Sequence, residues 1–258
     1  MIDLPTKKIP AESTNPRTLV LFSHTKVGKT STCAALPNSL LIDLEDGSHY
    51  VDAMKINVKQ EALKHKVSPL RYLRNLSESL ANSEHKYDFI ILDTATALEE
   101  FAEELATILY KQSTIGKNFE GTNVVTQLDK GSGYNWLREA FSKLYSYFAP
   151  YAAKGFIILG HVKLASLTKE GQDLSTRDLQ LTGKLKGMVC QGADAIGYMY
   201  RNPDNTNEVI VSFKTNPNDL ATGARSEHLR GQEIVLSEYN PETKEFTYHW
   251  DKIYPGWV

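Results

Sequence analysis

Leu19 to Thr32 reads LVLFSHTKVGKTST. An apolar run leads into a turn, and Gly28-Lys29-Thr30 opens the segment that follows. By composition alone a Gly-Lys-Ser/Thr triplet arises in about one chain of this size in ten, so its setting decides its meaning. Between a buried strand and a helix start, backbone N–H groups and the helix dipole face an anion. The lysine then reaches the β- and γ-phosphates and the hydroxyl holds Mg2+. Lys29 and Thr30 occupy those two positions. Ser23, His24, Thr25, Lys26, Val27, Gly28, Lys29, Thr30 and Ser31 therefore form the candidate nucleotide loop, with ATP and Mg2+ as the expected cofactors. Ser23 stands where such loops carry their first glycine; serine completes a turn there, at a cost only if its φ must be positive.

Three further strand ends complete the constellation. YDFIILDTATALEE (87–100) ends an apolar strand on Asp93, a carboxylate placed with Thr30 for the metal. LLIDLEDGSHY (40–50) puts Glu45 just past the next strand, where a carboxylate can polarise an attacking water. GFIILGHV (155–162) carries His161 at its end, and VIVSFK (209–214) ends on Lys214. Lys29, Glu45, His161 and Lys214 are the catalytic candidates.

Strands alternate with helices through the first two thirds of the chain. Ser68-Pro69 opens one helix with serine at the cap and proline in the first turn, followed by Leu70, Leu73, Leu76 and Leu80 at helical spacing. Thr96 and Glu99 are spaced for a capping box on the next. Two long polar segments, about 111–133 and 163–183, show no clear period. After them DAIGYMYR, EVIVSFK, EIVLSEY and EFTYHW read as short strands joined by hairpins. The expected fold is α/β, a P-loop NTPase with a mostly parallel central sheet flanked by helices and a C-terminal β-hairpin extension. Residues 1–16 read as a flexible N-terminal arm and 17–258 as the ATPase domain, with late hairpins over 194–258.

The 258 residues are 41% hydrophobic with a formal net charge of −2. That excludes a globally basic nucleic-acid coat and leaves room for local basic loops. Lys163, Lys169, Arg177, Lys184 and Lys186 cluster around the second polar segment and are the DNA-binding candidates. No apolar run approaches the roughly 18 residues of a membrane span, and the N-terminus lacks a secretory pattern. Two distant cysteines, Cys33 and Cys190, fit a reduced cytoplasmic chain.

In this order the pieces resemble the RecA-like recombinase core, over roughly residues 17–229. KVGKTS, GSGYNWL and GARSEHL resemble the compact phage-encoded RecA-like ATPases of recombination and single-strand annealing. The resemblance implies that Glu45 activates water, that Asp93 supports Mg2+, and that the two polar segments contact single-stranded DNA. Histidine at 161 replaces a glutamine common in the family, which links ATP state to the DNA loop. A lysine near Lys214 reaches the neighbouring subunit's nucleotide, so the resemblance also implies a filament or ring, with a single-strand-binding or other recombination protein as a further partner. A phage origin would place the chain in the host cytoplasm. The readings carried forward are a DNA-stimulated ATPase, an ATP-gated mediator with negligible turnover, and a helicase or packaging motor on the same core. No arginine finger is assignable within the core from sequence; Arg225, Arg230 and Lys214 are candidates to act in trans.

Overall fold

The computed structural model describes residues 4, 6–11, 13–169, 172–215 and 222–258, with backbone alone for 165–176. Regular structure begins with β1 (Thr18–Ser23), α1 (Lys29–Ala34), β2 (Ser39–Asp43), β3 (Lys55–Asn57), α2 (Val58–Lys64) and α3 (Pro69–Asn82). It continues through β4 (Phe89–Asp93), α4 (Ala95–Gln112), α5 (Val124–Gln127) and α6 (Gly133–Tyr145). Then come β5 (Gly155–Lys169), β6 (Gln172–Leu179), α7 (Lys184–Gly192), β7 (Ala195–Arg201), β8 (Glu208–Ser212), β9 (Gly223–Ala224), β10 (Glu233–Asn240) and β11 (Glu245–Tyr248).

The sheet runs β11-β10-β8-β7-β1-β5-β4-β2-β3. From β7 to β3 every neighbour is parallel, whereas β8, β10 and β11 extend the β7 side as antiparallel strands. This is the expected α/β architecture with its hairpin extension. The parallel strands are near-continuous apolar runs because both faces are covered. Val20, Phe22, Ile42, Ile90, Leu92 and Ile158 lie in one core cluster with residues of α3, α4, α6 and α7. Leu19, Leu21, Leu41, Ile91, Ile157 and Leu159 lie in the other, with α1 and the C-terminal Trp250, Ile253 and Tyr254. Trp250 Nε1 donates to the Thr32 carbonyl at 2.8 Å and so seats the chain's end on α1. Asn15 and Pro16, within the arm as read from sequence, are buried, and Asn15 Nδ2 donates to Pro255 O at 3.1 Å.

Two local expectations need correction. The cap of α4 is Thr94, whose hydroxyl accepts from Ala97 N at 3.3 Å; Thr96 and Glu99 sit inside the helix and reach outward instead. Thr96 Oγ1 donates to Gln180 O at 3.1 Å, and Glu99 Oε2 accepts from Thr182 N at 3.1 Å. The second polar segment is no open loop: β5 runs past the sheet and pairs with β6 as an antiparallel ribbon from Val162↔Leu179 to Lys169↔Gln172. The polar sequence of this ribbon shows no sustained alternation, so it carries no strand signal. By contrast, the Ser68 cap holds, its hydroxyl accepting from Arg71 N with Pro69 in the first turn.

Candidate functional site

The C-terminal ends of the parallel strands meet at one edge, where open α/β sheets bind ligands. Ser23 pairs with His161, and Asp43 with Asp93, so register alone brings four of the strand-end residues into line. A cleft of about 530 Å3 lies above them, lined by Gly28, Lys29, Thr30, Glu45, Asp93 and His161, and also by Tyr50 and Arg201.

Gly28 has φ 111°, a backbone that side chains rarely adopt, and Lys26 has φ 63°. Ser23 is not among the positive-φ residues. It is the last, fully buried residue of β1, so the missing glycine costs no strain. Its hydroxyl has a task of its own: Lys29 Nζ donates to Ser23 Oγ at 3.0 Å and to the His24 carbonyl at 3.3 Å. Burial lowers the Lys29 ammonium from its ordinary range, opposed by the charges of Asp93 and Glu45. The lysine is thus held at the root of the loop as a buried cation facing two carboxylates.

Thr30 Oγ1 donates to Asp93 Oδ2 at 2.6 Å, so the hydroxyl and carboxylate read from sequence as metal ligands are brought together. Burial pushes the Asp93 carboxyl up to about 6, reinforced by Glu45 and Asp43 and opposed by the Thr30 hydrogen bond and Lys29. A paired hydroxyl and carboxylate beside a buried lysine suit a hard divalent cation shared with phosphate oxygens. Thr30 and Asp93 would hold Mg2+ there, and the ion would supply charge neutralisation across the phosphates. Protons compete with metal at such a carboxylate. Asp93 is mostly protonated at pH 5 and mostly ionised at pH 7, so Mg2+-dependent nucleotide binding should weaken about tenfold over that interval. Titrating Mg2+ against a bound fluorescent nucleotide at both pH values, in wild type and Asp93→Asn, checks this. An identical pH response in the two proteins would rule Asp93 out as its source.

Glu45 is presented by an organised loop. The buried Asp43 carboxylate accepts from the backbone N–H groups of Glu45 (3.0 Å), Asp46 (2.8 Å), Gly47 (3.3 Å) and Ser48 (2.9 Å). Thr94 Oγ1 donates to Glu45 Oε1 at 2.5 Å, and His161 Nε2 lies 3.0 and 3.1 Å from the two carboxylate oxygens. Burial alone would raise the Glu45 carboxyl. The hydrogen bonds from His161 and Thr94 and the charges of His161 and Lys29 outweigh it, and Glu45 lies below the usual carboxylate range. To donate, His161 must carry its proton on Nε2; its Nδ1 is buried without a partner among the described residues.

Lys214 is not brought into this cleft. It ion-pairs with Glu233, which also accepts from Tyr200. Among the DNA candidates, Lys186 pairs with Asp178 at 2.5 Å, and the Arg177 guanidinium lies 4.4 Å over the Tyr198 ring. Lys163 and Lys184 are exposed; the side chain of Lys169 lies outside the described residues. Asp43, Thr94, Tyr50 and Arg201 were not singled out from sequence. Thr94 had a legible signal, since it directly follows the strand-ending Asp93, whereas nothing local distinguishes Arg201 from any strand-end cation.

Residues 15–225 match the family model described as AAA domain. The chain belongs to that family of P-loop domains, and the loop, the Thr30–Asp93 pair and the cleft are its candidate nucleotide-binding parts. No curated protein matches the sequence. Among solved structures, the crystal structure of the RadB recombinase is similar at a TM-score of 0.41 and 9% identity, covering 88% of this chain and 89% of that one. Among the described residues no helix is long and apolar enough to cross a membrane.

Proposed function

We propose that the chain is an Mg2+-dependent ATPase that binds single-stranded DNA and assists recombination or strand annealing, working as a homo-oligomer alongside a single-strand-binding or other recombination protein. The observation that supports it is the path of β5. One strand carries His161, hydrogen-bonded to the candidate base Glu45, and then runs on to form the β5–β6 ribbon with Lys163 and Arg177. The root of that ribbon is fastened to the catalytic elements. Gln180 N donates to the His161 carbonyl at 2.9 Å, and Thr96 and Glu99 of α4 hold Gln180 and Thr182. Leu179 packs so closely on Gly160 that a Cβ there would meet its Cδ1 at 2.3 Å. A strand bound to DNA at one end and to the base at the other is a mechanical link between the two.

In this reading Lys29 draws the phosphates into the cleft, Thr30 and Asp93 hold the metal, and Glu45 takes the proton of the attacking water. His161 and Thr94 occupy both Glu45 oxygens in the described state, so the base is masked until β5 shifts. That masking equally favours a second reading, an ATP-gated mediator whose turnover stays negligible. Phosphate release with Mg-ATP, with and without single-stranded DNA and with Lys29→Ala as the blank, tests both. Stimulation by DNA of tenfold or so is the expected result. Measurable ATP affinity with background turnover in both conditions favours the mediator.

A further inference from the structure

We propose that Arg201 is the phosphate-facing arginine of this chain's own nucleotide site, supplied in cis from the end of β7. The proposal rests on the ATPase reading above. β7 runs parallel to β1 on the side away from β5, so its C-terminal end flanks the nucleotide loop opposite His161. Side chains alternate along a strand. Tyr198 and Tyr200 lie in or against the helical-layer core, and Met199 lies in the cluster with α1. Arg201 therefore stands on the face that carries α1, and it lines the same cleft as Gly28, Lys29 and Glu45.

Arg201 is exposed at the rim of that cleft. Arg201 Nη1 donates to the Thr206 carbonyl at 3.0 Å, which fixes the guanidinium against the β7–β8 turn without neutralising it. The nearby acids do not pair with it: Glu208, at the start of β8, accepts from Asn202 Nδ2 at 2.6 Å and from Asn205 Nδ2 at 2.7 Å, and Asp204, within the turn, forms no ion pair with Arg201 among the described residues. Among the described residues no carboxylate pairs with Arg201. The alternative cations are placed elsewhere. Lys214 is engaged by Glu233. Arg225 is paired with Asp194 at 3.3 Å, and with Arg230 it lines a separate cavity of about 930 Å3. That cavity lies at the N-terminal edge of β1 and β7, since Asp194 accepts from Arg17 N and Thr18 N. The length of β1 therefore separates it from the phosphate loop, by about 20 Å.

A guanidinium at the rim of the cleft, held by one carbonyl and without a carboxylate partner among the described residues, would stabilise charge as it spreads over bound phosphates in the transition state. Three full-length proteins decide the matter: Arg201→Ala, Arg201→Lys and Lys29→Ala, alone and mixed. Arg201→Ala should lower turnover about 10²-fold while ADP affinity stays within about threefold, and Arg201→Lys should recover part of the loss, keeping charge but not the planar fork. Mixing Arg201→Ala with Lys29→Ala should restore nothing. Recovery in the mixture would mean the arginine acts across subunits, and unchanged turnover in Arg201→Ala would remove it from the site; either overturns the inference. If wild type itself releases no phosphate, the hydrolysis reading fails separately. Affinity for a non-hydrolysable ATP analogue then decides: a loss of about tenfold in Arg201→Ala upholds the contact, and equal affinity overturns it.

Discussion

Lys29→Ala is expected to abolish turnover and to weaken ATP binding by about 10²-fold. Lys29 is almost wholly buried at the root of the loop, where it meets Ser23 Oγ, His24 O and the charges of Asp93 and Glu45. A charge-assisted contact of this kind contributes about 3 kcal/mol, which is the stated fold-change. The loss has a second source. Without the ammonium, the carboxylates of Asp93 and Glu45 keep their hydrogen bonds but lose the cation that offsets their repulsion, which is costly at the buried Asp93. Lys29→Met removes the same charge but keeps the stem's packing, and so separates lost charge from lost packing. Isothermal titration with a non-hydrolysable ATP analogue, accompanied by urea denaturation of each variant, gives both numbers. Wild-type affinity in either variant would mean that the loop is not the nucleotide site.

Glu45→Gln should bind nucleotide as wild type does and turn over about 10³ times more slowly. The amide preserves the size and can still accept from Thr94 and His161, so the loop built on Asp43 is undisturbed. What it loses is the capacity to take a proton, and a positioned general base contributes 10²–10⁴-fold. Although burial raises it, hydrogen bonds from His161 and Thr94 and the charges of His161 and Lys29 hold the Glu45 carboxyl below the usual range, which favours the ionised form that a base requires. Single-turnover hydrolysis separates chemistry from product release. Turnover equal to wild type would take Glu45 out of the mechanism.

The sheet's parallel half was legible because strands covered on both faces must be apolar, and Thr18–Ser23, Ser39–Asp43 and Phe89–Asp93 are. The convergence of residues on one cleft was legible in part for a related reason: parallel strands deliver their ends to one edge, so Glu45, Asp93 and His161 fall beside Lys29 at the start of α1. Lys214, read by the same rule, does not. The β5–β6 ribbon was not legible, since its polar sequence shows no sustained alternation from which strands could be read. Thr96 and Glu99 show a subtler failure. Their spacing satisfied a local rule, but Thr94 took the cap and left both free to grip residues more than 80 positions away. Ser23 reads differently once its backbone is known. The left-handed turns fall at Lys26 and Gly28, so the position asked for a small hydroxyl rather than for glycine.

The Asp43 carboxylate divides its loop into two regimes. Up to Ser48 each backbone N–H from Glu45 onward is tied to one buried anchor, and an inserted or deleted residue would carry the base away from the cleft. Beyond Ser48 that tether ends, and Tyr50 is fully exposed. Length and composition can therefore drift between His49 and Met54 without displacing Glu45. Relatives of this chain should vary less in the five residues before His49 than in the stretch that follows, Tyr50 and Val51 at the cleft excepted.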